Sequence, residues 1–492
     1  MRQEVFRMER VTYIDKGIKQ LEDFNLQIYQ GEIMGLIPIN AHGLQELLQL
    51  MQTNMPLYDG YVYYCGERIN SWKSTRRTGN RIGIIDANSR LVEHMTVTDN
   101  IFVLRQGFRQ EVIQNKLLRK QLTPFMGDIG MEIPADAYVD KLSAFERVVV
   151  ELLRAVVAGY RLIVLNEIST VINGEELCKL YDIIHHYGKQ GFSFLYVSPH
   201  LEEIMEVCDR VALLSNGRIQ KVAQGKEMKA EIVEGYTLEF DTMVRYHMEN
   251  RNPDALRKRE ILSFNHVTGE TLQDFTMKVY EGECLVVQNL DNQVFQDILQ
   301  VLYGDRKLKM GDCFIAGRKV DLPASKEIAI IAAEPTKTMI FNEMNYMDNL
   351  CMGLSRRVSG VWKRNMRDSV RKEYGPVLGE EVFQIPVERL SERQKYQLVY
   401  TRVLLQKPKV VVCVQPFKGA DLDHRVFVWK MMEMLLDKGM SVVILTINLA
   451  DSMSLADRLI RIGKDGILEE VNREDFGSLS IAAPWLSLYR TQ

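Results

Sequence analysis

GEIMGLIPINAHGLQELLQLM, residues Gly31 to Met51, sets a short apolar run and a helical stripe on either side of a tight loop. Ile33 to Ile37 reads as a buried strand, and Leu44, Leu47, Leu48 and Met51 fall at i, i+3, i+4 and i+7 of one helix face. Strand, loop and helix in that order are the grammar of a phosphate-binding loop, G-x-x-x-x-G-K-[ST]. In such a loop backbone N–H groups surround the phosphates, the lysine reaches the β and γ groups, and the hydroxyl holds Mg2+. Here the loop carries Pro38, Asn40, Ala41, His42 and Gly43, followed by Leu44, Gln45 and Glu46.

Each departure has its own consequence. Pro38, at the first glycine, fixes φ and removes an N–H donor where the backbone should wrap an anion. Leu44, at the lysine, removes the charge and continues the apolar stripe. Gln45 and Glu46 replace the hydroxyl pair, and Glu46 adds negative charge near a helix N-terminus. Charge-assisted hydrogen bonds contribute about 1.5–3 kcal/mol each, so losing three weakens a triphosphate complex by about a thousandfold or more.

The chain has 492 residues, enough for two or three domains, and a net charge of −3, which advertises neither nucleic acid nor an anionic membrane. Seven cysteines without a CxxC pair argue for reduced thiols. The N-terminal MRQEVFRMERVTYID has no apolar signal core, and no apolar run reaches the length of a membrane span. The expectation is a cytoplasmic protein that meets the inner face of a membrane only through a partner.

An internal repeat organises the chain. Gly31-Glu32 recurs 251 residues on as Gly282-Glu283, Leu142-Ser143 recurs 248 on as Leu390-Ser391, and Asp209-Arg210 recurs 248 on as Asp457-Arg458. Landmarks in one order at one spacing mean two similar domains, expected at 1–250 and 260–492 with a linker at 251–259. The seam is the charge-rich stretch Lys226 to Arg259. Each half alternates strands and helices. Arg81 to Ile85, Leu162 to Leu165 and Phe192 to Val197 read as strands in the first, with a helix from about Glu175 to Gly188. Ile328 to Ile331, Val410 to Val414 and Ser441 to Leu445 take the strand places in the second. The fold class is α/β, a largely parallel sheet core in each half, with mostly helical insertions at Val97 to Ile133 and Tyr346 to Tyr374.

LSERQKYQLVYTRVLLQKPKVVVCVQP (Leu390 to Pro416), HMTVTDNIF (His94 to Phe102) and LEEIMEVCDRVALLSNGR (Leu201 to Arg218) carry a family resemblance. Over nearly its full length the chain resembles the tandem-cassette ATPase subunit of monosaccharide importers of the ABC family, the ribose, galactose and xylose type. The resemblance implies two tandem P-loop NTPase-like cassettes with inserted helical subdomains. It also implies nucleotides held between the P-loop of one cassette and the LSGGQ signature of the other.

Where that family does chemistry, this chain departs. The second loop, QNLDNQVFQ (Gln288 to Gln296), has no glycine. Phe295 stands at the lysine, Gln296 follows it, and Asp291 and Asp297 bring negative charge. Phe295 again starts an apolar stripe, with Ile298, Leu299 and Leu302. The signatures read LSAFE (Leu142 to Glu146) and LSERQ (Leu390 to Gln394), both without the glycines that let backbone approach the γ-phosphate. In the first Walker B strand Asn166 replaces the magnesium aspartate and Glu167 stands at the general base, whereas Val414 and Gln415 replace both carboxylates in the second. Ala87 occupies the Q-loop glutamine position, Pro199 and Ile447 the switch histidines. Tyr13 is the aromatic nearest to a place where adenine would stack.

Several residues admit a functional and a structural reading. Glu167 is the one candidate for orienting water, against a hydrogen-bonded relic at a sheet edge. His200 either stands in for the switch histidine or is a surface residue at a helix start. His185 and His186, adjacent on a helix, point apart and complete no metal spacing. Arg356, Arg357, Lys363, Arg364, Arg367, Arg371 and Lys372 surround Trp362, and read best as a solvated helix face balanced by nearby acids rather than as a nucleic-acid surface.

The sequence therefore reads as a catalytically degenerate pair of cassettes, with no cofactor and no metal expected, serving as a scaffold or regulator in sugar transport or sensing. The alternative is a working subunit that energises monosaccharide import with weak ATP turnover. It would bind ATP and Mg2+ through Tyr13, Asn40, Gly43 and Asn166. The partners this reading admits are a permease subunit, a related ATPase, a regulatory protein or a second copy of the chain; nucleic acid is not among them.

Overall fold

The computed structural model describes residues 3–73, 77–104, 115–228, 242–244, 246–247, 250–251, 259–322, 325–354, 363–463 and 466–479. In the first half the strands are β1 (Glu4–Asp15), β2 (Ile18–Tyr29), β3 (Ile33–Pro38), β4 (Asp59–Tyr64), β5 (Glu67–Ser71), β6 (Ile82–Asp86), β7 (Leu162–Asn166), β8 (Ser193–Val197), β9 (Arg210–Ser215) and β10 (Arg218–Gln224). They form a four-stranded sheet, β2-β1-β4-β5, and a six-stranded sheet, β10-β9-β3-β8-β7-β6. The pairs β6/β7, β7/β8, β8/β3 and β3/β9 are parallel, and β10 joins β9 as an antiparallel edge. β3 and β8 are buried at every position, as expected of parallel strands covered on both faces.

The second half repeats this plan with β11 (Glu260–Thr268), β12 (Phe275–Tyr280), β13 (Cys284–Asn289), β14 (Met310–Ile315), β15 (Arg318–Val320), β16 (Ile328–Ile331), β17 (Val410–Val414), β18 (Ser441–Thr446), β19 (Arg458–Gly463) and β20 (Gly466–Asn472). Its sheets run β12-β11-β14-β15 and β16-β17-β18-β13-β19-β20, the order of the first half strand for strand. Helices Asn115–Asp128 and Ala144–Val157 lie between β6 and β7, and Lys363–Leu378 and Glu392–Gln406 between β16 and β17. The α/β class and the two parallel cores agree with the reading of the sequence. In each half one core packs the antiparallel sheet and the loop helix against the parallel sheet: Phe6, Phe24, Leu47 and Leu195 in the first, Phe275, Phe295 and Leu445 in the second.

Two expectations need correction. The chain divides into compact units at 1–238 and 239–492, earlier than the expected boundary at 250. The reason is packing: Val244 joins the second unit's core, and Arg251, expected in a linker, holds Asp457 through Nε at 2.6 Å and Nη2 at 2.7 Å. Residues 252–258 of the expected linker lie outside the described residues. His200 does start a helix, Leu201–Val207, but it is buried rather than a surface residue: it follows the fully buried β8 by three residues, and its N–H donates to Ser198 Oγ at 3.1 Å.

The seven cysteines form no disulfide, and among the described residues no helix is long and apolar enough to cross a membrane. In the basic cluster, Arg367 pairs with Asp348 and Arg371 with Glu380. Arg356, Arg357 and Trp362 lie outside the described residues.

Candidate functional site

The first loop leaves the C-terminal end of β3 and is stitched to its neighbours before the helix Leu44–Gln52 begins. Ile39 N–H donates to the Leu214 carbonyl at 2.8 Å. Asn40 Nδ2 donates to Ser215 Oγ at 3.2 Å and to Asn216 Oδ1 at 3.1 Å, while its Oδ1 accepts from Asn216 N–H at 3.0 Å. His42 Nε2 lies 2.9 Å from the Lys19 carbonyl. Gly43 has φ 83°, and a Cβ built on it would stand 2.3 Å from the Gln20 oxygen, so the loop lies flat on β2 and only glycine fits there. Pro38 and Leu44 are buried, and Gln45 is exposed. The helix has no side-chain cap and carries Glu46 in its first turn. Tyr13 sits close to Glu46: burial, then Asp15 and Glu46, push its hydroxyl pKa up, and Arg77 draws it down.

At the end of β7, Asn166 Nδ2 donates to Asp86 Oδ1 at 3.1 Å, and Asp86 Oδ2 accepts from Arg90 Nη2 at 2.5 Å. Asn166 Oδ1 is buried with no partner among the described residues. Asp86 went unnoticed in the sequence. Its signal was an aspartate closing an apolar run four residues before Arg90, and β-register sets it beside Asn166. Ala87 follows it, half-buried. Glu167 is held in the left-handed region, φ 53°, with its N–H on the Val197 carbonyl at 3.0 Å. Gln415 repeats this, with φ 41° and its N–H on the Leu445 carbonyl at 2.8 Å. Pro199 is buried beyond β8.

The second loop is filled by its own chain. Its helix, Asn292–Tyr303, begins three residues early relative to Phe295, so positions that form loop in the first half are helical here. Asp291 Oδ1 caps that helix, accepting from the amides of Gln293 at 2.8 Å and Val294 at 3.1 Å. Phe295 is 3% exposed and Gln296 is exposed. Asp297 turns away from the loop: its Oδ2 accepts from the amides of Glu270 at 2.6 Å, Thr271 at 2.9 Å and Leu272 at 3.2 Å. Gln288 Nε2 donates to the Ile447 carbonyl at 3.0 Å, and Val414 and Ile447 are both packed in the core.

Both signature serines cap their own helices. Ser143 Oγ accepts from Glu146 N–H at 3.1 Å while Glu146 Oε2 accepts from Ser143 N–H at 2.8 Å. Ser391 and Gln394 make the same reciprocal pair at 3.3 and 2.9 Å. Phe145, at a glycine position of the motif, is buried. Farther along the first signature helix, buried Glu151 accepts from Ser89 Oγ at 2.6 Å and Arg90 N–H at 2.7 Å, with its pKa raised by burial. Among the described residues no cluster of three His, Cys, Asp or Glu side chains could hold a metal ion.

Residues 21–170 match the ABC transporter family model. The xylose import ATP-binding protein of Geobacillus kaustophilus is 23% identical, over 96% of this chain and 97% of that protein. The galactose/methyl galactoside import ATP-binding protein of Clostridium tetani is 21% identical, over 93% of each. The ribose import ATP-binding protein of Caldanaerobacter subterraneus is 20% identical, over 96% and 97%. A solved ATP-binding cassette of an ABC transporter in its ADP conformation superposes with a TM-score of 0.41 at 17% identity, over 47% of this chain and 98% of that one. The repeated sheet order, the motif spacing and relatives aligned from end to end lead to one conclusion: this chain is a two-cassette relative of the sugar import ATP-binding subunits.

Proposed function

We propose that the protein is a pseudo-ATPase, a cassette pair that keeps the importer fold and acts as a scaffold or regulator in sugar transport or sensing without turning over ATP. The observation that carries this reading is Asp291. Its carboxylate takes the helix amides on which a phosphate would otherwise dock, and a second anion there would meet like charge. Neither loop supplies a lysine or a hydroxyl at its motif position, so the donor set does not fit magnesium triphosphate. No hydrolytic step is assigned to Glu167. The partners are a permease subunit, a related ATPase, a regulatory protein or a second copy of the chain, and the location is cytoplasmic, peripheral to the membrane through such a partner.

Three features of the first loop favour a second reading, in which the first cassette still binds nucleotide and energises monosaccharide import. The helix Leu44–Gln52 has no side-chain cap, Gly43 keeps φ 83°, and Tyr13 stands close to the helix start. Calorimetric titration with Mg-ATP separates the two. The pseudo-ATPase reading expects no saturable binding tighter than about 100 μM. Tighter binding with hydrolysis lost in Glu167→Gln would establish the second reading instead.

A further inference from the structure

The second unit holds an apolar crevice of about 40 Å³ between its antiparallel sheet, its parallel sheet and the helix Asn292–Tyr303. Phe264 and Phe275 line it from one sheet and Val412 and Leu445 from the other, while half-buried Ile298 and Leu308 mark its mouth. Asp297 is the only polar side chain among the described residues that line it.

That carboxylate is half used. Asp297 is 4% exposed, and its Oδ2 takes the amides of Glu270, Thr271 and Leu272. Its Oδ1 is buried and has no hydrogen-bond partner among the described residues. In the first unit the same position, two residues after Leu44, is Glu46, which is only half-buried. A buried acceptor without a donor destabilises the fold, and the apolar walls of the crevice supply none. Only a donor from outside the chain would complete it.

Possible occupants differ in how they meet this site. Water needs two to four polar partners and would find one. A purely apolar molecule leaves Oδ1 as it is. An anion meets like charge, and an ammonium brings three N–H donors of which the crevice satisfies one. A hydroxyl brings a single donor, and its carbon body suits the apolar walls. Size narrows the class: 40 Å³ exceeds the roughly 10–15 Å³ that one water requires and falls well short of the roughly 150 Å³ of a cavity that takes up benzene.

We propose that this crevice binds a short-chain alcohol the size of ethanol, its hydroxyl donating to Asp297 Oδ1 and its carbons against the apolar walls. So few non-hydrogen atoms limit the affinity to about the millimolar range. The site does not depend on whether either loop holds nucleotide.

The test titrates the full chain, carrying 13C-methyl isoleucine and methionine, with ethanol. The expected result is a saturable shift of the Met277, Ile298 and Ile462 methyl signals, set against the linear drift that a cosolvent imposes on methyls elsewhere. Dimethyl ether, of equal size but without a donor, and ethylammonium should each bind at least about tenfold more weakly, as the loss of one hydrogen bond to a charged group implies. Val301→Phe, which fills the crevice from the helix, should abolish the shifts. Asp297→Asn keeps an acceptor for the amides and turns an NH2 group toward the crevice, so it should cancel the preference for ethanol over the ether. Unchanged spectra for methyls away from the crevice show that both variants remain folded. Absence of saturable shifts at the three methyls, shifts that persist in Val301→Phe, or equal binding of dimethyl ether or ethylammonium would overturn the proposal.

Discussion

Asp297 presses so closely on Gly269 that a Cβ built on the glycine would stand 2.2 Å from the carboxylate's Oδ2. Gly269 occupies the place of Tyr13: Val11 pairs with Phe24 and Val267 with Phe275, and each of the two residues lies two positions farther on. The second half has thus exchanged an aromatic residue for a glycine clamped by the helix that follows its loop. Gly269→Ala should destabilise the protein by about 1–3 kcal/mol in urea unfolding, since backbone amides hold the carboxylate and it cannot swing aside. Gly269→Tyr should give no gain in Mg-ATP binding by titration.

Asp291 should behave as a helix cap first. Asp291→Ala leaves the amides of Gln293 and Val294 without their acceptor and should cost about 1 kcal/mol, measured as a lower denaturation midpoint. Asp291→Asn keeps an acceptor and should recover most of it. A loss in Asn as large as in Ala would mean that the charge, not the cap, matters.

Buried ion pairs tie the parallel sheet to the adjacent hairpin in both units. Arg210 Nε reaches Glu32 Oε1 at 2.5 Å and its Nη2 the Gln27 carbonyl at 2.7 Å; Arg458 Nε reaches Glu283 Oε1 at 2.7 Å. Removing Glu32 strands the buried Arg210 and should cost about 3–5 kcal/mol, whereas Glu283→Ala should cost less because Arg458 keeps Glu470, 2.5 Å from its Nη1. Scanning calorimetry would register the loss, and a shift no larger than that of a surface pair would refute this assignment.

His247 should make the second unit sensitive to acid. Its Nδ1 lies 3.2 Å from Glu433 Oε1 and its ring meets Trp429 edge-on at 5.3 Å. Burial, then Arg473 and Arg251, lower its pKa from 6.5 to about 4. The unfolded chain takes up the proton as pH falls below 6.5, whereas the folded chain resists until about 4. The stability is therefore fully present above 6.5 and fades toward 4, by roughly 3 kcal/mol at about 1.4 kcal/mol per unit. His247→Gln should flatten the unfolding free energy measured between these limits; an unchanged slope would assign the acid sensitivity to other groups.

Much of the fold was legible because burial writes itself into composition. Val410 to Val414, apolar at every position, could only be a strand covered on both faces, and β17 spans those residues. The repeat was legible because two similar sheets need similar landmarks. The capping role of the signatures came only from the structure, although Ser143 and Glu146, like Ser391 and Gln394, stand at capping-box spacing. The inward position of His200 was not legible either, because a helix start looks the same from sequence whether it faces water or a sheet.

The sequence alone determined the two-cassette plan and the absence of lysine and hydroxyl at both loops, because these depend on residue identity along the chain. Only the tertiary structure decided where the two aspartates of the second loop point. Asp291 and Asp297 are both acids near one helix start, yet one caps that helix and the other crosses to the amides of residues 270–272. That difference rests on which amides lie within hydrogen-bonding reach, and chain folding alone brings together partners about 25 residues apart.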